Sequence, residues 1–182
     1  MILRDGDQEI KGCLEEGKDM EPEIDYKKLV RTTDLVGENE KDTMLLKSMF
    51  LEASKFLKSF RWCEEIEESY FGLGVGGVVA VFLFKIIPSQ KSVDEWLWVI
   101  VGDLPSAYIV IDDAPNAACA LDSYIEEMSR WVKAVELSSP IDDLMPVNAP
   151  PTLEYANQLE SRLGFLRKEI LSGYEDDLKE RV

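Results

Sequence analysis

The stretch WLWVIVGDLPSAYIVIDD, Trp96 to Asp113, ends an apolar run on two adjacent carboxylates, Asp112 and Asp113, with a third, Asp103, in its polar joint. Paired carboxylates can divide general acid from general base work, or hold a hard cation through oxygen ligands. The same residues have a structural reading. In DDAPN, Asp113 or Asn116 can accept hydrogen bonds from the free N–H groups of a first helical turn. Pro115 sits where no backbone donor is needed, and negative charge suits the helix dipole. A strand-to-helix junction therefore accounts for every residue of the motif.

A second acidic group, Glu64, Glu65, Glu67 and Glu68, lies in WCEEIEESYFGLGV. Strict strand alternation puts Glu64 and Glu68 on one side and denies all four a common focus. They read as edge-strand charge that blocks unwanted pairing, or as a docking patch for a basic protein partner. GLGVGG, Gly72 to Gly77, has the look of a phosphate loop, but VVAVFLF follows it. A phosphate loop must open a helix, so a glycine-rich hairpin or bulge is expected instead. Trp96 and Trp98 share strand parity. Left uncovered they form an aromatic binding patch; amphipathic helices seeking a place to bury their stripes argue for cover.

The chain has no histidine. This removes the commonest general base, the commonest zinc ligand and every nucleophile–histidine pair. Cys13, Cys63 and Cys119 are far apart and form no CxxC, so neither a zinc site nor a disulfide scaffold is expected. No cofactor, metal or catalytic residue is assigned, and the balance leans against an enzyme.

Among 182 residues, 36 are acidic and 20 basic, for a net charge of −16. That field repels phosphate backbones and attracts basic partners, so nucleic acid is excluded. The N-terminus lacks an apolar stretch of signal-peptide length, and the longest apolar run, Val78 to Phe84, cannot span a bilayer. A cytoplasmic protein with no membrane contact is expected.

The elements that must position these groups follow from periodicity. Residues 1–41 are polar and aperiodic, an acidic arm that is weakly structured or holds short elements. Residues 42–182 make a single domain. Leu46, Met49, Phe50, Ala53, Phe56, Leu57 and Phe60 recur at helical spacing, with Asp42 or Thr43 as N-cap. Strands are expected in the Trp62–Tyr70 region, over Val78 to Ile87, and over Trp96 to Val101 and Ala107 to Ile111 about a GDLPS turn. A helix follows from about Pro115 to Leu137, then a proline-rich loop, then a helix from near Thr152 that frays at SGYEDD. The fold class is α+β: a helix, a three- or four-stranded antiparallel meander, then two helices, in two layers.

Three segments, GVGGVVAVFLFKI, DEWLWVIVGDLPSAYIVIDDAPNAACALDSYIEEMSRWV and PVNAPPTLEYANQLESRLGFLRKEIL, resemble a family of bacterial proteins with GDLP, DDAPN and PPT segments in this order. The resemblance covers roughly residues 70–172. It implies a bacterial origin and a shared fold, and no activity.

The leading functional expectation is a non-enzymatic acidic protein-binding module, such as an immunity-type protein neutralising a basic toxin. The alternatives are a carboxylate-dependent enzyme or small-ligand binder using Asp103, Asp112 and Asp113, and a structural subunit forming homodimers through the Trp96/Trp98 face or the last helix.

Overall fold

Two strands carry no polar alternation: β3 (Val79–Pro88) and β4 (Trp96–Gly102) are apolar at nearly every position. Such strands are stable only with cover on both faces. In the computed structural model, which describes residues 24–180 and only the backbone of Asp113, both faces are covered. Ala80, Phe82, Phe84, Ile86, Leu97, Val99 and Val101 pack beneath helix α1 (Glu40–Lys58). Val79, Val81, Leu83, Trp96, Trp98 and Ile100 pack beneath α2 (Ala117–Glu136) and α3 (Leu153–Phe165). The α+β class and the order helix, meander, two helices hold. The sheet lies between helices, however, giving three layers where two were expected, because helices claim both faces of its central strands.

The sheet is an antiparallel meander in the order β1-β2-β3-β4-β5, adding β1 (Val30–Arg31), β2 (Cys63–Val75) and β5 (Ala107–Val110). The fifth strand, beyond the three or four expected, is β1, which comes from the acidic arm and pairs only with Tyr70 and Phe71. The described part of that arm is built of short elements, two 3₁₀ turns flanking β1, and Leu35 is fully buried. Residues 1–23, the rest of the arm, lie outside the described residues.

The N-cap of α1 is Asn39, whose side chain accepts from the Asp42 N–H at 3.0 Å. Asp42 and Thr43, the expected caps, sit inside the first turn and do other work. Asp42 accepts from the N–H of Glu38 and from that of Gly76, tying the helix start to the β2–β3 turn. Thr43 accepts from Gly37. The GLGVGG run is the expected glycine hairpin: Val78 N–H closes on Val75 O, and Gly77 has a φ of +78°, left-handed territory that favours glycine. Gly72 lies at a bulge, and a Cβ there would stand 2.5 Å from the Ala117 Cβ, so glycine lets α2 approach.

The last long helix starts where expected, and Thr152 is its N-cap, accepting from the Tyr155 N–H. A single π-helical turn, Leu166–Ile170, follows and shifts the buried stripe, so that Leu171 enters the core and Ile170 only borders it. The SGYEDD segment does not fray. It forms α4 (Glu175–Leu178), and the Asp177 carbonyl accepts from Asn116 Nδ2 at 2.9 Å and from the Cys119 thiol at 3.4 Å. Lys28 donates to Asp177 at 2.6 Å and to Glu180 at 2.8 Å. Arm and C-terminal turn thus meet over the start of α2, which sequence periodicity cannot show.

These hydrogen bonds raise the Lys28 ammonium well above the usual lysine range, the bond to Asp177 contributing most. The Glu180 carboxyl is lowered, chiefly by Lys28 and then by Asn116. A lowered carboxyl stabilises above its unfolded pKa, near 4.3, and a raised ammonium below its own, near 10.4. The strap is therefore held across the neutral range and loosens as pH falls through the carboxylate range. Lys28→Ala should speed alkylation of the Cys119 thiol by about tenfold at neutral pH through local opening, with the global denaturation midpoint little changed. Unchanged thiol reactivity would show that Lys28 does not hold the strap.

Candidate interaction surface

Antiparallel pairing decides which acidic groups meet. Cys63 pairs with Pro88 and Leu97 with Val110, so the start of β2, the β3–β4 loop and the end of β5 all lie at one end of the sheet. That end presents Glu64, Glu65, Asp94, Glu95 and Asp112, all exposed. Among the described residues, no cation lies within ion-pair distance of any of the five, although Arg61 and Lys91 are also exposed at this end. Asp94 and Glu95 were not singled out from sequence. Only the register places their loop beside β2 and β5.

Glu67 and Glu68 behave differently. Bulges fall between Cys63 and Glu65 and between Ile66 and Glu68, so Glu65 and Glu68, opposite Ile87 and Lys85, share a face against the strict alternation expected. Glu67 pairs with Lys85 at 3.4 Å, and Glu68 accepts from the Tyr70 hydroxyl and faces Arg31 at 3.9 Å. Two of the four glutamates are thus neutralised in place and two are not. Burial, followed by the Glu68 hydrogen bond, lifts the Tyr70 phenol to about 12.

The remaining candidates separate. Trp96 and Trp98 are 6% and 1% exposed, under α2 and, at Trp96, against Tyr26 and Lys85. Trp98 Nε1–H donates to the Ala114 carbonyl at 2.8 Å. The cover that the amphipathic helices argued for is present, so the aromatic binding patch that an uncovered face would have formed does not exist there. Asp103 stands at the other end of β5 from Asp112, in the β4–β5 turn, and ion-pairs with Arg162 at 3.0 Å. It borders a hollow of about 180 Å³ with Tyr155, Gln158 and Arg162, but its carboxylate is engaged there. Asp103 and Asp112 therefore cannot share a site. Asp112 is exposed on a 3₁₀ turn, Ile111–Asp113, while the side chain of Asp113 lies outside the described residues. The α2 cap is Asn116, accepting from Cys119 N–H at 2.9 Å.

Sequence reading missed one constellation. Phe56 from the last turn of α1, Phe60 and Trp62 from the turn that follows it, and Tyr108 from β5 form a half-buried aromatic cluster. Phe60 stacks on Trp62 at 4.8 Å, and both meet the Tyr108 ring edge-on, at 5.5 and 5.4 Å. Burial, then the charge of Asp94, raises the Tyr108 phenol. The only sequence signal was a pair of aromatic residues just past a helix end; the fourth ring arrives from a distant strand.

Among the described residues, no helix is long and apolar enough to cross a membrane, and no group of three or more His, Cys, Asp or Glu side chains is placed to hold a metal ion. No family model, curated protein or solved structure matches this chain, so roles are assigned from geometry.

Burial separates the four tryptophans. Acrylamide should quench a single accessible class, which Trp62→Phe removes and Trp98→Phe leaves in place. Quenching that survives in Trp62→Phe would mean that the Trp96/Trp98 face opens.

Proposed function

We propose that this chain is a non-enzymatic, acidic protein-binding module that engages a basic protein partner through the end of its sheet, in the manner of an immunity protein facing a basic toxin. The supporting observation is the gathering of Glu64, Glu65, Asp94, Glu95 and Asp112 at one sheet end, all exposed and without a paired cation among the described residues. Exposed like charges seldom help a fold, since each pair repels and none of these five is held in an ion pair among the described residues. Arranged on one end, they create a field that captures a basic surface at range and orients it before contact. The overall charge of −16 has the same sign and reinforces that steering. The reading includes a bacterial, cytoplasmic setting, which suits the free thiols of Cys63 and Cys119.

The test is kinetic. A partner captured at about 50 mM salt and purified should associate with wild type at a rate that falls steeply as salt rises and the Debye length shrinks. Replacing Glu64, Glu65 and Glu95 by Gln, and Asp94 and Asp112 by Asn, should lower the association rate at low salt by about tenfold or more. The dissociation rate should change less. Equal association of variant and wild type, or no salt-dependent capture of any basic protein, ends this reading.

A further inference from the structure

Two stretches of sheet edge face solvent, and they are built differently. From Cys63 to Glu68, no strand among the described residues pairs with the outer side of β2, because β1 pairs only with Tyr70 and Phe71. That stretch carries four glutamates and two bulges, devices that stop another strand from adding. β5 is the terminal strand at the opposite edge, and among the described residues no segment hydrogen-bonds to its outer side. From Leu104 to Ile111 it has no charge, no bulge and, within the strand itself, no proline. Beside it lie the four half-buried rings of Phe56, Phe60, Trp62 and Tyr108.

An unguarded strand edge is satisfied by another strand, which narrows the occupant to extended backbone. Charge narrows it further. A basic partner is drawn to the carboxylates at the sheet end, not to an uncharged strip. Two copies of this chain, each at −16, repel over most orientations, but antiparallel pairing through β5 sends their acidic ends in opposite directions. We propose that β5 pairs antiparallel with β5 of a second copy about a twofold axis through Tyr108, making one continuous sheet.

The register follows from the faces. A twofold axis perpendicular to the sheet keeps both α1 helices on one side, so residues directly opposite must share parity. With Tyr108 opposite its own copy, Ala107 meets Ile109 and Ser106 meets Val110, while the 3₁₀ turn holding Asp112 falls toward the Leu104 end of the other copy's strand. The two ring clusters then merge across the axis. Asp112 of each copy comes beside the Asp103–Arg162 pair of the other, whose aspartate is already neutralised, and away from its counterpart Asp112. A four-residue strand plus the exposed rims of four rings is a smaller contact than the roughly 800 Å² per partner of a standard interface, so the dimer is weak.

Sedimentation velocity from about 1 µM to 1 mM should show the mean mass rising from one chain to two, and Val110→Lys should weaken the dimer by about tenfold or more. In a Cys13→Ser background, Tyr108→Cys should form a disulfide-linked dimer under mild oxidation about tenfold faster than Val110→Cys, because only position 108 meets itself. The two described native thiols, Cys63 and Cys119, are buried and leave this readout clear. A single-chain mass across the whole concentration range overturns the proposal. So does a dimer indifferent to Val110→Lys, or equal linkage at the two positions, which would place the contact elsewhere.

Discussion

The structure depends on the double burial of β3 and β4. Val79 to Ile86 and Trp96 to Val101 have almost no position that water can satisfy, so every other element is placed by the need to cover them. A buried apolar side chain contributes about 1.5–3 kcal/mol relative to exposure, and here both parities of both strands contribute. α1 has its buried stripe, Leu46, Met49, Ala53 and Leu57, to offer one face, while α2 brings a wider stripe to the other. With both faces taken, only the ends and edges of the sheet remain at the surface. What the sheet itself can offer a partner is therefore limited to its ends, turns and edge strands.

That confinement gives the charge its geography. Glutamates and aspartates excluded from the covered faces collect where the chain turns, and antiparallel connection brings separate turns to the same end. At the opposite end the carboxylate of Asp103 is paired with Arg162, and at the edge near β1 the cations Arg31 and Lys85 meet Glu68 and Glu67. One end is left with net uncompensated charge. Each exposed carboxylate interacts weakly with any one neighbour in water, but their fields add within a Debye length of roughly 8–10 Å. The arrangement suits steering better than catalysis, which requires desolvated groups at fixed separations.

What the sequence made legible was whatever rests on local period. Helical spacing located α1, α2 and α3, the glycine hairpin is local chemistry, and Asn116 was one of two caps foreseen for α2. What rests on distant partners was hidden. Asn39 caps α1 because the chain arrives through Gly37, leaving Asp42 free to bind the Gly76 N–H across the hairpin. The β2 bulges change which glutamates share a face, and nothing in EEIEES announces them. The unbroken apolar character of VVAVFLF did signal cover on both faces, and a two-layer expectation underused it. The strap at residues 171–180 is held by Lys28 and Asn116, residues too remote for any window-based reading.

Edges complete the logic. A meander leaves two, and a protein with strong net charge has a simple means of guarding them, which is to place that charge on the strand itself. β2 shows the means in use, with bulges added to twist the backbone out of register. That β5 lacks the same protection, in a chain with carboxylates to spare, calls for a reason, and strand pairing supplies one. In the paired form the two acidic ends stand at opposite extremities, each open to its own partner. Two sites held in one body raise effective concentration without any new contact when a partner, or the surface it decorates, presents more than one basic patch. In the proposed dimer the neutral edge and the charged end would divide the work, one setting how copies of the chain meet, the other setting what they attract.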